Sequence, residues 1–172
     1  MLEAGADKDL TNTSGFTALI KASGQGHLQP VCLLLEAGAD KDLTNTSGFT
    51  ALIKASGQGH LQPVCLLLEA GADVAENRGG TALMMASEQG YVDVVCLLLD
   101  AGADISMADS RGYTALMMAS CVGHVDIVRL LLQSGSDTDL ARNGGTKALM
   151  MAAYEGHVEV MRILLEAGAD KK

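Results

Sequence analysis

Residues 2–40 recur without change as residues 35–73, a direct duplication at a spacing of 33. A chain that copies itself at this interval has to form the same local structure each time, and neighbouring copies must meet in the same way. The landmark Thr-Ala-Leu marks the period at Thr17, Thr50, Thr81 and Thr114, and Lys147-Ala148-Leu149 takes the fifth place, with spacings of 33, 31, 33 and 33. The chain is therefore read as five consecutive copies of one small unit.

Within a unit the signals alternate between helix and turn. Thr17 is placed to cap a helix, because its hydroxyl can accept from the first free backbone amides. Leu19, Ala22 and Ser23 then fall on one narrow face of a short helix, and Gly26 suits the left-handed position that stops it. From His27 onward, Leu28, Val31, Leu34 and Leu35 recur on one side of a second helix. Pro30 sits in its first turn, where a missing amide hydrogen costs little. Gly38 ends that helix, and the turn-forming stretch Thr44-Asn45-Thr46-Ser47-Gly48 reads as a tight hairpin projecting from the helices. Helix pairs are expected at about 17–36, 50–69, 81–100, 114–133 and 147–166, forming a single domain over residues 1–172. Isolated helices below about 12–15 residues are marginal, so each pair must stack on the next to bury its apolar face.

The unit Gly48-Phe49-Thr50-Ala51-Leu52, with Ala55-Ser56, Gly59-His60, Val64, Leu67-Leu68 and Ala70-Gly71-Ala72-Asp73, resembles the ankyrin repeat, and the resemblance runs through nearly the whole chain. It implies an all-α fold, an ankyrin-type α-solenoid of helix-turn-helix repeats with projecting hairpin loops. It also implies a protein or peptide partner, bound at the hairpin tips and the concave surface of the first helices. Three departures stand out. Ala18, Ala51, Ala82, Ala115 and Ala148 replace the family's usual proline, and Ile20, Ile53, Met84, Met117 and Met150 replace its usual histidine, so apolar contact takes the place of a Thr–His hydrogen bond. Asp73 and Thr81 are closer in sequence than Asp40 and Thr50, so a shortened, distorted hairpin is expected before the third pair, with the helix stack continuing past it. No terminal repeat has a clearly polar outer face, as expected of a segment of a longer array or an uncapped one, and end-to-end self-association through those faces follows.

Composition excludes several classes. The 12 basic against 21 acidic residues give a net charge of −9, which disfavours nucleic acid because that affinity rests on neutralising phosphates. No apolar run approaches the length of a membrane span, so no membrane partner is expected, and an intracellular, cytoplasmic setting is. There is no phosphate-cradling glycine loop and no HExxH, so neither an enzyme nor a cofactor is expected. His27, His60, His124 and His157 share one register with Tyr91. Repeats about 8–10 Å apart keep them from converging on a metal, and packing with hydrogen bonding is the expected role. Cys32, Cys65 and Cys96 share a register with Arg129 and Arg162 and are expected to be free thiols at least partly exposed. Met85, Met118 and Met151 hold the register of Lys21 and Lys54, consistent with filler between helices or with an adaptable patch.

Mapped through the resemblance, the candidate partner-binding residues are Phe16, Phe49, Arg78, Arg111, Tyr113, Arg142 and Lys147 on hairpins, and Glu88, Gln89, Cys121, Val122, Tyr154 and Glu155 on first helices. Aromatics and arginine are enriched at binding hot spots, although a ring at a hairpin base can equally well cover its neighbour. Phe16 and Phe49 present the same surface twice. Arg78, Arg111 and Arg142 make basic spots to which an acidic or mixed peptide could dock. The competing expectation is a structural spacer, or an engineered repeat scaffold, with no dedicated partner.

Overall fold

Helix ends in this chain are set by side chains that repeat with the period. The computed structural model describes residues 7–75 and 81–169. Among them lie ten helices: α1 (Ala18–Gly24), α2 (Leu28–Glu36), α3 (Ala51–Gly57), α4 (Leu61–Glu69), α5 (Ala82–Gln89), α6 (Val92–Asp100), α7 (Ala115–Val122), α8 (Val125–Gln133), α9 (Ala148–Glu155) and α10 (Val158–Glu166). The hydroxyls of Thr17, Thr50, Thr81 and Thr114 accept from the amides of Ile20, Ile53, Met84 and Met117 at 3.1–3.3 Å. Lys147, which stands in the same place before α9, gives no side-chain cap.

Each odd-numbered helix packs on the even-numbered helix that follows it. The odd helices also stack in series from α1 to α9, and the even ones from α2 to α10. The stack continues from α3 directly onto α5. The hairpin between those helices, expected to be short, has residues 76–80 outside the described residues, and Arg78 lies there too. Among the described residues no helix is long and apolar enough to cross a membrane.

The core is a set of columns running along the stack. Leu19, Leu52, Leu83 and Leu116 form one, Val31, Val64, Val95 and Val128 another, and Leu67, Leu98, Leu131 and Leu164 a third, all essentially closed to solvent. Ala55, Ala86, Ala119 and Ala152 let the odd helices approach closely. Small residues in every copy account for burial with so few rings. Of the face read from the first unit, Val31 is fully buried, whereas Leu28, Leu34 and Leu35 are half-buried. The outer faces of the first and last pairs expose Leu33, Met150 and Val158.

A further column joins consecutive units through an aromatic ring and a glycine. Gly26, Gly59, Gly90 and Gly123 all have positive φ, and a Cβ on any of them would come within 2.5–2.6 Å of the ring of His60, Tyr91, His124 or His157 respectively. Glycine is therefore needed twice over, for the backbone conformation and for the space the next ring fills. His124 Nε2 lies 3.0 Å from the Glu88 carbonyl oxygen and His157 Nε2 3.0 Å from that of Cys121. The shared histidine register thus joins repeats by packing and, in these two copies, by hydrogen bonds. Tyr91 supplies the ring alone.

Ser23, Ser56, Ser87 and Ser120 form a column that is fully buried and whose hydroxyls have no hydrogen-bond partner. Ala153 holds that register in the last pair. An unpaired buried hydroxyl costs about 1–3 kcal/mol, so Ser87→Ala is expected to raise stability by about 1 kcal/mol in urea unfolding. By contrast Leu98→Ala, at the centre of its column, is expected to lower it by about 2–5 kcal/mol.

Candidate partner-binding groove

Three of the hairpins carry an Asx turn at the base. Asn12 Oδ1 accepts from the amides of Ser14 and Phe16, Asn45 Oδ1 from Ser47 and Phe49, and Asp109 Oδ1 from Arg111 and Tyr113, all at 2.9–3.0 Å. Adjacent tips are bonded together, Thr46 N to the Ser14 carbonyl and Asn143 N to the Arg111 carbonyl, each at 3.2 Å. The base of the last hairpin pairs Ala141 with Lys147. These bonds fix a rim of hairpins beside the odd helices, with a groove between.

Three depressions mark the groove. The first, about 380 Å³, has a floor of Met84, Met85 and Met118, walls from Phe49 and Tyr113, and charges from Glu88, Asp109 and Arg111 at its edge. A second of about 430 Å³ begins on the other side of Tyr113 and includes Arg142, Met150, Met151, Tyr154 and Glu155. Cys121 lines both, and Val122 lines the first. The third lies by Phe16, Lys21 and Gly24. Most of the residues singled out in the sequence therefore meet on one surface. Gln89 is exposed and lines none of these depressions. Nor does Lys147, whose ammonium sits 3.1 Å from an Asp139 carboxylate oxygen. Tyr154 is 89% exposed, so its ring is presented whole to the groove end.

Arg111 and Arg142 are already engaged. The guanidinium carbons of Arg111 and Arg142 lie 4.9 and 5.0 Å from the Tyr113 ring centroid, Arg142 also donates to the Tyr113 hydroxyl, and Arg111 donates through Nε and Nη2 to Asp109 Oδ2 at 3.1 and 3.0 Å. This cluster locks the fourth hairpin to the fifth and leaves Tyr113 half-buried. Phe16 and Phe49 are likewise packed on the core with one side open. At Cys121 burial raises the thiol pKa, and the charges of Glu155 and Glu88 raise it further, so the thiol is held protonated at neutral pH. All four cysteines are free and half-buried.

A family model described as ankyrin repeats (3 copies) matches the sequence over residues 1–78, 31–109 and 83–172. The chain belongs to the ankyrin-repeat family. No match is found among curated proteins. Ankyrin repeats are generally protein–protein interaction modules and typically non-catalytic.

Two parts of this ankyrin groove were missed in the sequence. Asp109 is not singled out there, although it holds the register of Asn12 and Asn45 and its carboxylate is the centre of the fourth hairpin. Gly24 and Gly57 stand where the later copies carry Glu88, Cys121 and Tyr154, so the groove floor lacks a side chain in the first two repeats. Comparing the copies column by column, rather than reading each glycine as a helix end, is the signal that would have found both.

Burial works against the ionised form of Asp109, but the amides of Tyr113 and Arg111 and the Arg111 guanidinium more than offset it, so its pKa is lowered. The stabilisation is complete above the ordinary aspartate value of about 3.9 and is lost as pH falls through the lower folded value. An NMR titration of the Arg111 and Tyr113 amides is expected to show this transition below pH of about 3.9. Asp109→Asn is expected to abolish it while keeping the hairpin, as Asn12 and Asn45 do.

Proposed function

We propose that residues 1–172 act as one non-catalytic array that binds a protein or peptide segment in the groove between the hairpins and the odd helices. One observation carries the reading: a continuous run of methionines and rings, the half-exposed Met85, Met118, Met151, Phe49 and Tyr113 and the exposed Tyr154, lines that groove beneath a fixed charged rim. Methionine suits surfaces that repack around a partner, and the rings supply area at low entropic cost. Of the other residues assigned to the contact, Glu88, Cys121, Val122, Arg142 and Glu155 line the same depressions. Gln89 and Lys147 are assigned to its margin. Free thiols and the acidic surface fit a reducing, intracellular setting without nucleic-acid binding.

The test uses the tolerance of one register. Lysine already occupies the Met118 position in the first two repeats as Lys21 and Lys54, so Met118→Lys is expected to change stability by less than about 1 kcal/mol. It should nevertheless remove the proteins captured by the native chain, as should Tyr113→Ala. A captured set unchanged in both variants, with thermal midpoints preserved, would exclude this groove as the contact surface.

The 172-residue polypeptide is further proposed to associate end to end, because Leu33 at one end of the stack and Met150 at the other are exposed where the same registers of interior repeats are more covered. Sedimentation velocity is expected to show concentration-dependent association, reduced by Met150→Glu.

A further inference from the structure

The groove changes chemistry along the array. Its floor register reads Lys21, Lys54, Met85, Met118, Met151, and the register three residues on reads Gly24, Gly57, Glu88, Cys121, Tyr154. The first two repeats thus place two ammonium groups beside bare backbone. The depression there, about 540 Å³, is lined by Phe16, Lys21, Gly24, Gln25, Lys54 and Gln58 among others, with no carboxylate in its lining.

These two lysines differ from the other described cations. Among the described residues Lys8, Lys41, Lys147, Arg111, Arg129 and Arg162 each pair with a carboxylate, and Arg142 is held on Tyr113. Lys21 and Lys54 pair with none. Lys54 Nζ instead lies 4.2 Å from the Phe49 centroid and 6.0 Å from that of Phe16, a contact that positions the charge without neutralising it. A polypeptide with a net charge of −9 has no shortage of carboxylates to place beside a lysine, yet both stand over an open, acid-free pocket.

We infer that this pocket is the carboxylate-recognising end of the groove, and that the partner is an extended segment with acidic side chains seated at Lys21 and Lys54 and aliphatic side chains following over Met85 and Met118. The inference rests on the reading of the groove as a protein-binding surface. Its spacing follows from geometry. Stacked helices lie about 8–10 Å apart, and an extended chain in the polyproline-II form advances about 3.1 Å per residue with three residues per turn, so one repeat spans about three partner residues and every third side chain faces the groove. The acidic positions are then three apart, and the aliphatic positions continue at the same interval. Beyond about 8 Å the chain's overall negative charge is screened at physiological salt, which leaves the two local lysines to select the partner.

Fluorescence anisotropy with the full 172-residue chain tests this. The probes are a labelled synthetic peptide with glutamates then leucines at that spacing, the same peptide in reverse order, and a glutamine-for-glutamate counterpart of each. One order is expected to bind, with its glutamine counterpart roughly fivefold weaker or more, as two partly exposed ion pairs imply. Gly24→Glu places a carboxylate beside the lysines in a register where α5 already accepts Glu88. It is expected to weaken the glutamate peptide more than the glutamine peptide, and Lys21→Gln with Lys54→Gln gives the same comparison without adding bulk. Equal affinity for glutamate and glutamine peptides would overturn the inference, as would inorganic polyphosphate competing as well as the acidic peptide. If charge dependence is absent but Met118→Lys still abolishes binding, the groove reading stands and this inference alone falls. If Met118→Lys also has no effect, both fall.

Discussion

A helix of seven to nine residues is not stable in water by itself, and every other feature of this chain answers that deficit. Propagation along so few residues cannot repay nucleation, so stability comes from the face each pair gives to its neighbours. The columns of Leu, Val and Ala satisfy this by repetition: the same contact is made between each unit and the next, and no long-range closure is needed. Few aromatic residues are required because the interfaces are thin and close-packed.

The same requirement separates structure from function within each unit. Residues that face along the stack are fixed by the copy beside them, while those that face the hairpins are packed less closely and vary from copy to copy. The register Gly24, Gly57, Glu88, Cys121, Tyr154 varies in size and charge in that second class, whereas the leucine and valine columns scarcely change. Variation on a constant scaffold lets a periodic molecule present a non-periodic surface. Here that surface runs from cationic and hollow at one end to apolar and filled at the other.

Much of the fold was legible because period and capping are local signals. Thr17 as a cap, Gly26 as a stop and the histidine register as a joint could all be read from one unit and checked against its copies. The groove was legible only in part. The resemblance placed Tyr113, Arg111 and Arg142 on the hairpin side, but no sequence pattern says that a guanidinium will lie over a ring on the adjacent hairpin, because that contact depends on how far one tip sits from the next. The unpaired lysines were hidden for the opposite reason. Their significance is the lack of a carboxylate nearby, and absence in space has no signature along the chain.

The ring-and-glycine joint gives the array a direction. Each imidazole or phenol reaches toward the N-terminal neighbour, His60 onto Gly26, Tyr91 onto Gly59, His124 onto Gly90 and His157 onto Gly123. During synthesis the socket is therefore always made before the ring that fills it. A ribosome emits the N-terminal unit first, and each later unit emerges to find its seat already waiting.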